Sequence, residues 1–142
     1  MNTYVVFRVG ESWYGVPVLD AQAIEEAKPV DKIPKSPVHV EGIYSFRDQF
    51  CAVINTGILF GQDPTQLHPP SRFILMEKDG KPLAFFVDEV QTIVEWEEHK
   101  IQSLMVPLAG GGLQKVSVYH DEERAVVLLS LVTALELYQS QV

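Results

Sequence analysis

The chain has 142 residues, of which 46% are hydrophobic and 21% charged, and its formal net charge is −8. These totals are typical of a soluble globular protein with one domain, or with two very small units that share a core. The acidic balance argues against nucleic acid and against anionic membranes as partners, because both require a basic face.

The sequence contains no feature typical of a secreted or membrane protein. Cys51 is the single cysteine, so no internal disulfide can form, and its apolar neighbours predict a small buried side chain. Arg8 and Glu11 interrupt any signal-peptide core, and no stretch approaches the roughly 18 apolar residues that span a bilayer. We therefore expect a cytoplasmic protein without direct membrane insertion.

Residues 4–18 predict a β-hairpin. Aromatic and β-branched side chains fill residues 4–9 and 13–18, and Gly10 opens the polar turn between them. Pro17 cannot donate a backbone hydrogen bond to a neighbouring strand, so its end of the second strand is expected at a sheet edge. The apolar spacing of residues 19–27 then predicts a short helix, with Asp20 as its N-cap.

The stretch 40–55 predicts a second hairpin, and we expect the rest of the chain to be organised around it. Residues 42–46 and 50–54 have the composition of strands, and the second strand is expected to be buried on both faces. Arg47 lies at the tip, in the turn 46–49. Three roles are open to it, namely a solvated charge, a clamp on loop carbonyls, or a contact with a partner.

The second half of the chain predicts further hairpins and a terminal helix. The proline-bearing linker 62–70 precedes two strands at 72–77 and 83–87, and residues 88–95 alternate apolar with polar side chains. Residues 104–113 are expected to form a loop that ends in Gly110-Gly111-Gly112. Strands at 116–119 and 125–129 flank a turn at 120–124, and an amphipathic helix follows from Leu131 to Tyr138.

The two halves share an order of elements, which indicates an internal duplication. Asp20 and Asp88 occupy matching positions, as do Ile33 and Ile101, although chance similarity between β-rich hairpins is the alternative. One half could not bury a full core alone. We therefore expect an all-β fold with minor α content, in which two pseudo-repeated five-stranded β-barrel subdomains share a hydrophobic core and precede a C-terminal helix.

The same argument predicts a single domain over residues 1–142. Its first subdomain is expected at about 15–72 and its second at about 1–14 together with 73–142. A simple split near 62–70 is the alternative, because the linker has the composition of a boundary.

Few residues suggest catalysis. The four histidines lack metal-ligand spacing, and Gly110-Gly111-Gly112 lacks the lysine and hydroxyl residues that end a phosphate loop. We therefore expect no enzyme activity, no cofactor and no metal site, and we favour an interaction module. The alternative is a small-molecule sensor in which Trp13, Trp96 and Tyr44 line a groove between the barrels.

An ordered set of short motifs runs through nearly the whole chain, from about residue 4 to about residue 137. The motifs are Phe7 and Gly10, Tyr14-Gly15-Val16-Pro17-Val18, Gln22-Ala23-Ile24, Ile33-Pro34, Val40-Glu41-Gly42-Ile43-Tyr44-Ser45-Phe46-Arg47-Asp48, Ala52-Val53-Ile54-Asn55, Phe86-Val87-Asp88-Glu89-Val90 and Val127-Leu128-Leu129. This set resembles the CheW-like domain family, the coupling proteins of bacterial chemosensory arrays.

The resemblance implies a non-catalytic adaptor built from two five-stranded barrels over a common core. Such proteins bridge the cytoplasmic tip of a methyl-accepting chemoreceptor and the regulatory domain of a CheA-type histidine kinase, which is itself CheW-like. The family's hairpin arginine corresponds to Arg47 here. The interface residues that the resemblance implies are Val18, Ala21, Ala23, Ile24, Ile33 and Arg47.

The central turn departs from the family pattern. It usually reads Asn-Leu-Arg-Gly, whereas this chain has Ser45-Phe46-Arg47-Asp48. Loss of the glycine removes a residue that readily takes a positive φ, so the turn is open to a change of type. The departure favours, as an alternative, a chemosensory system other than flagellar chemotaxis, such as type IV pilus twitching.

Overall fold

A computed structural model describes residues 2–107, 111–120 and 124–140, which form two β-sheets and a C-terminal helix. The strands are Asn2–Val9 (β1), Ser12–Pro17 (β2), Ala23–Glu26 (β3), Val40–Phe46 (β4), Gln49–Asn55 (β5), Arg72–Lys78 (β6), Lys81–Val87 (β7), Glu89–Trp96 (β8), Ile101–Pro107 (β9), Leu113–His120 (β10) and Ala125–Leu128 (β11). The helices are Thr56–Leu59 (α1) and Leu131–Ser140 (α2), and 3-10 turns cover Val18–Asp20 and Glu98–Lys100.

The predicted all-β class with a C-terminal helix is confirmed. Sheet I has six strands in the order β8-β1-β2-β11-β10-β9, and sheet II has five in the order β3-β6-β7-β5-β4. Sheet I therefore has one strand more than expected. Gly110 and residues 121–123, which belong to the predicted loop and turn of the second half, lie outside the described residues. Among the described residues, no helix is long and apolar enough to cross a membrane.

The two sheets repeat one strand pattern, which supports the predicted duplication. In sheet I, β8, β1 and β2 are antiparallel, β2 then pairs in parallel with β11, and β11 is antiparallel to β10. In sheet II, β3, β6, β7, β5 and β4 follow the same sequence of pairings. The position of β9 corresponds to a single bridge from Asp31 to Ile43 of β4.

The first hairpin of each half belongs to the sheet of the other half. The strands β1 and β2 pair with β8 and β11, whereas β6 and β7 pair with β3 and β5. Sheet II therefore takes its strands from residues 23–87. The expected subdomain limits at 15–72, or near 62–70, stay a prediction.

Alternating side chains divide the apolar residues into three clusters, as expected for strands covered on both faces. The central core comprises Val5, Phe7, Val9, Val16, Ile54, Leu59, Ile74, Met76, Phe85, Val87, Leu131 and Leu135. The sheet II core comprises Ala27, Cys51, Val53, Phe73, Leu75, Ala84 and Phe86. The sheet I core comprises Tyr4, Val6, Trp96, Tyr119 and Val126. Both sheets and α2 contribute to the central core, which is therefore shared between them.

The predicted helix over residues 19–27 is wrong. The chain forms only the 3-10 turn Val18–Asp20 and then the strand β3, which pairs with β6. Ala23 packs against the sheet II core and Ile24 against the central core, which is the two-residue period of a strand. Apolar residues at positions 23 and 24 are compatible with a helix and with a strand. The strand forms because the edge of β6 is available for pairing.

The predicted loop over residues 104–113 is also wrong at its start. Residues up to Pro107 belong to β9, which pairs with β10 along its whole length. The side chains of β9 beyond Ile101 are all exposed, so this strand has no alternation of buried and exposed residues that the sequence could have shown as alternating apolar and polar side chains.

Two expectations about strand position are only partly correct. The strand β2 lies inside sheet I, between β1 and β11, but β11 pairs only with residues 13–15, so Pro17 lies beyond that ladder. The strand β5 is largely buried from Cys51 onward, whereas Phe50 is 78% exposed.

Candidate docking surface

The 3-10 turn Val18–Asp20, which we call the docking turn, presents the most exposed large apolar side chain of the described residues. Leu19 is 95% exposed. The turn begins directly after Pro17, and the Ala21 amide closes it by donating to the Val18 carbonyl at 3.2 Å. Here the chain leaves sheet I and enters sheet II, so Leu19 projects at the junction of the two sheets. An apolar side chain held in solvent beside other apolar groups is typical of a protein-binding surface.

Recesses on both sides of Leu19 make this junction concave. A recess of about 480 Å³ is lined by Leu19 together with Asn2 and Tyr4 of β1. A second recess of about 320 Å³ is lined by Leu19 with Met76 of β6 and Val132 of α2. A partner that covered Leu19 would therefore contact both sheets and the start of the C-terminal helix.

The predicted interface residues beside the docking turn fall on two different faces. Val18, Ala21 and Ile24 are half-buried and pack against the central core, so the structure brings these three side chains to one side. Ala23 packs against the sheet II core instead. The described packing thus separates Ala23 from the other three.

Sequence reasoning missed Leu19. The expected helix over residues 19–27 had Leu19 on the same side as Ala23, and Leu19 was not among the predicted interface residues. A large apolar residue two positions after the proline that ends a strand was the available signal, because a turn at that point can leave its side chain without neighbours.

The strand β3 adds an edge to this surface, because it is the terminal strand of sheet II. The Ala27 amide donates to the Ser71 carbonyl at 3.2 Å, and alternation along an antiparallel ladder then directs the backbone groups of Ile24 and Glu26 away from β6.

The side chain of Glu25 links the two terminal strands of sheet II. The Tyr44 hydroxyl of β4 donates to Glu25 Oε1 at 3.3 Å, so β3 and β4 approach each other although they lie at opposite ends of the strand order. Burial, and then the adjacent Glu25 carboxylate, raise the pKa of Tyr44. The hydroxyl therefore stays protonated and remains a donor to this carboxylate.

Arg47 occupies a two-residue turn of the type that right-twisted hairpins favour. Phe46 pairs with Gln49, and Arg47 and Asp48 have φ angles of 48° and 63°. Positive φ at both positions defines a type I′ turn, which is formed here without glycine. Asp48 thus takes a positive φ that glycine would adopt more readily.

The guanidinium of Arg47 lies over the ring of Phe46, with its central carbon 4.8 Å from the ring centroid. Within the described ranges it makes no hydrogen bond to a loop carbonyl, so the interpretation of Arg47 as a clamp is not supported. Its contact with a partner stays a prediction.

Ile33 lies in the segment beside β4, to which the neighbouring Asp31 forms a bridge. It is half-buried, and its carbonyl accepts a hydrogen bond from the Ser36 hydroxyl at 2.8 Å. The structure therefore places Ile33 and Arg47 on the β4 side of sheet II, whereas the docking turn precedes β3.

The aromatic groove expected for a small-molecule sensor is not formed. Trp13 and Trp96 belong to the sheet I core, where Trp96 stacks on Tyr119 with ring centroids 4.0 Å apart. Tyr44 packs against the sheet II core. These side chains face the interiors of different sheets, so the predicted groove is wrong. Across the described ranges, no three His, Cys, Asp or Glu side chains are grouped so as to hold a metal ion.

Two topologically repeated sheets, a shared core and an exposed apolar turn at their junction define a small duplicated β-protein with a candidate docking surface. Residues 3–137 match the CheW-like domain family, and the chain belongs to that family. It is 19% identical over 135 residues to "Chemotaxis protein CheW" of Helicobacter pylori, covering 94% of this chain and 81% of that protein. The crystal structure of the scaffolding protein TtCheW from Thermoanaerobacter tengcongensis has the same fold, with a TM-score of 0.79 and 24% identity, over 92% of this chain and 84% of that one.

Proposed function

We propose that this protein is a non-catalytic adaptor that couples the cytoplasmic tip of a chemoreceptor to the regulatory domain of a CheA-type histidine kinase. The observation that carries the proposal is the nearly complete exposure of Leu19 beside recesses to which both sheets contribute. Membership of the CheW-like family, and relatives described as a chemotaxis protein and a scaffolding protein, support it. In this proposal the protein acts in the cytoplasm, at receptor arrays.

The docking turn supplies the kinase contact in this proposal. Leu19 inserts into an apolar pocket of the regulatory domain, and the flanking Asp20, Glu25 and Glu26 favour a basic rim on the partner. Val18, Ala21 and Ile24 support the turn from below, because they already pack against the central core. Arg47 and Ile33, on the β4 side, are assigned to the receptor contact.

The test is a binding measurement between the purified protein and candidate kinase regulatory domains. We expect Leu19→Asp to lower affinity at least about tenfold, since a buried apolar anchor contributes roughly 2 kcal/mol or more to an interface. The melting temperature should stay unchanged, because the side chain contacts little of its own chain. Val38→Asp is the matched control, since Val38 is 73% exposed on a different part of the surface.

Leu19→Asp is a sharper probe than Ile24→Asp. Ile24 packs against the central core, so a charge there destabilises the fold, and a loss of binding would not identify the interface. If Leu19→Asp binds as tightly as the parent protein, the docking turn is not the kinase contact. If Leu19→Asp and Val38→Asp weaken binding equally, the effect is one of charge rather than of a specific anchor.

Arg47→Ala tests the receptor contact separately. We expect weaker capture of a receptor tip fragment and unchanged stability, because the guanidinium only covers the Phe46 ring. A large fall in melting temperature would instead mean that the arginine holds the hairpin together.

A non-flagellar output, such as type IV pilus twitching, is the second candidate. The departure of the turn from the family pattern favours it, although the turn keeps a regular two-residue geometry. The kinase that the protein captures from a panel of regulatory domains would identify the pathway.

A further inference from the structure

A cavity of about 490 Å³ lies at the end of sheet II, between residues 28–32, the beginning of β4 and the linker 62–70. Phe73 and Phe86 of the sheet II core lie at its base, but they are only 1% and 5% exposed. Val38 and Leu67 at its edge are 73% and 47% exposed. The volume lies within the range of small-molecule sites, roughly 300–1,000 Å³.

The charges at this cavity are unusual for so acidic a chain. Lys28 and Lys32 both line it, with Val30 between them. Neither lysine forms an ion pair within the described part of the chain, whereas the net charge of the whole chain is −8.

We propose that this cavity binds a small amphipathic carboxylate, with its apolar chain against Val38 and Leu67 and its carboxylate between Lys28 and Lys32. Such a molecule matches both features of the site, because the exposed apolar side chains at its edge contact the chain while the lysines neutralise the acid. The site is separate from the docking turn and goes beyond the adaptor function.

One carboxylate of the protein, that of Glu41, also lines the cavity. Its Oε1 accepts a hydrogen bond from Asn55 Nδ2 at 2.7 Å, which directs that oxygen to the protein. The remaining negative charge still opposes an anionic ligand. Glu41→Gln keeps an acceptor for Asn55 and removes the charge, so it should tighten binding.

The experiment uses decanoate and decyltrimethylammonium, which have the same chain and opposite charge, below their micelle concentrations. Each is titrated into the ¹⁵N-labelled full chain, and amide shifts are followed by NMR. We expect decanoate to shift residues 28–41 and 64–67 in a saturable manner and decyltrimethylammonium to shift them much less. Binding should weaken as salt rises, since the charges at the mouth are solvated.

Variants test the two lysines directly. Lys28→Gln with Lys32→Gln should weaken decanoate binding about tenfold, because two charge attractions are lost. Lys115→Gln, on β10 of sheet I, is the matched control and should have no effect. Equal binding of both probes, or unchanged binding in the double variant, would overturn the proposal. So would binding to phosphatidylglycerol vesicles without binding to decanoate, since the site would then recognise a membrane surface.

The same double variant separates this site from the adaptor function. It should capture the kinase regulatory domain as well as the parent protein does, whereas Leu19→Asp should bind decanoate normally.

Discussion

Asn55 offers a direct test of how the linker 62–70 is held against the hairpin β4–β5. It ends β5, caps α1 and is only 1% exposed. Its Oδ1 accepts from the amides of Thr65 and Ile58 at 2.9 and 3.2 Å, and its Nδ2 donates to the Thr65 carbonyl and to Glu41 at 3.0 and 2.7 Å. This one side chain therefore ties the linker to the hairpin β4–β5 and to the following helix.

We expect Asn55→Ala to lower the free energy of unfolding by about 4 kcal/mol. The figure assigns about 1 kcal/mol to each of the four hydrogen bonds, which include the helix cap. The loss would be a large part of the roughly 5–15 kcal/mol typical of a domain. Urea denaturation followed by circular dichroism measures it, and a loss below about 1 kcal/mol would refute the assignment.

Asn55→Asp refines the test. The new carboxylate still accepts from the amides of Thr65 and Ile58, but it can no longer donate and it faces the Glu41 carboxylate. Adding Glu41→Gln to Asn55→Asp should then restore much of the stability, because the new amide at position 41 can donate to the new carboxylate at position 55. Equal stability of the double and the single variant would contradict this geometry.

Three further predictions concern the turn, the pH dependence and the linker. Asp48→Gly should raise the free energy of unfolding by about 0.5–1 kcal/mol, measured by urea denaturation, because glycine takes a φ of 63° without a side-chain penalty; a loss of stability would show that the aspartate favours the turn. Burial lowers the pKa of His39, whose ring packs on Tyr138, so the contribution of the neutral ring to stability is complete above about pH 6.5 and is lost as the pH falls. His39→Phe should therefore reduce the fall of the melting temperature below that pH, and an unchanged dependence of the melting temperature on pH would contradict the assignment. Fragments 1–66 and 67–142 should each be unfolded alone by circular dichroism and should regain β-structure when mixed, since each sheet takes strands from both; a fragment that folded alone would contradict the exchange of hairpins.

Strands whose alternating side chains enter two cores could be predicted from the sequence. Residues 4–9, 72–77 and 83–87 are nearly continuous apolar runs, which suit burial on both faces, and the structure confirms them as β1, β6 and β7. The turn Asp79–Gly80 was recognisable for a different reason, because Asp-Gly strongly favours positive φ at both positions. Local composition was sufficient in these cases.

The candidate site was harder to predict, because its features depend on neighbours distant in sequence. Residues 23–26 form a strand only because β6 offers them an unpaired edge, and β6 follows them by nearly fifty residues. The exposure of Leu19 depends in turn on the strand that replaced the expected helix. Arg47 shows the opposite case, since its position at a hairpin tip was predictable, whereas its stacking on Phe46 depends on a side-chain conformation.

The exchange of hairpins gives a structural reason for the proposed adaptor contact at the docking turn. The chain passes from sheet I to sheet II there and makes the reverse passage near Asp88, whose amide donates to the Arg8 carbonyl at 3.0 Å while its Oδ2 accepts from the Gly10 amide. Each crossing is thus held between strands of both sheets. A partner bound at such a crossing contacts both sheets at once, so its binding energy opposes any change in their relative position. We therefore expect binding at the docking turn to slow amide hydrogen exchange in β1 and β6 together, and slowing in only one of these strands would contradict the argument.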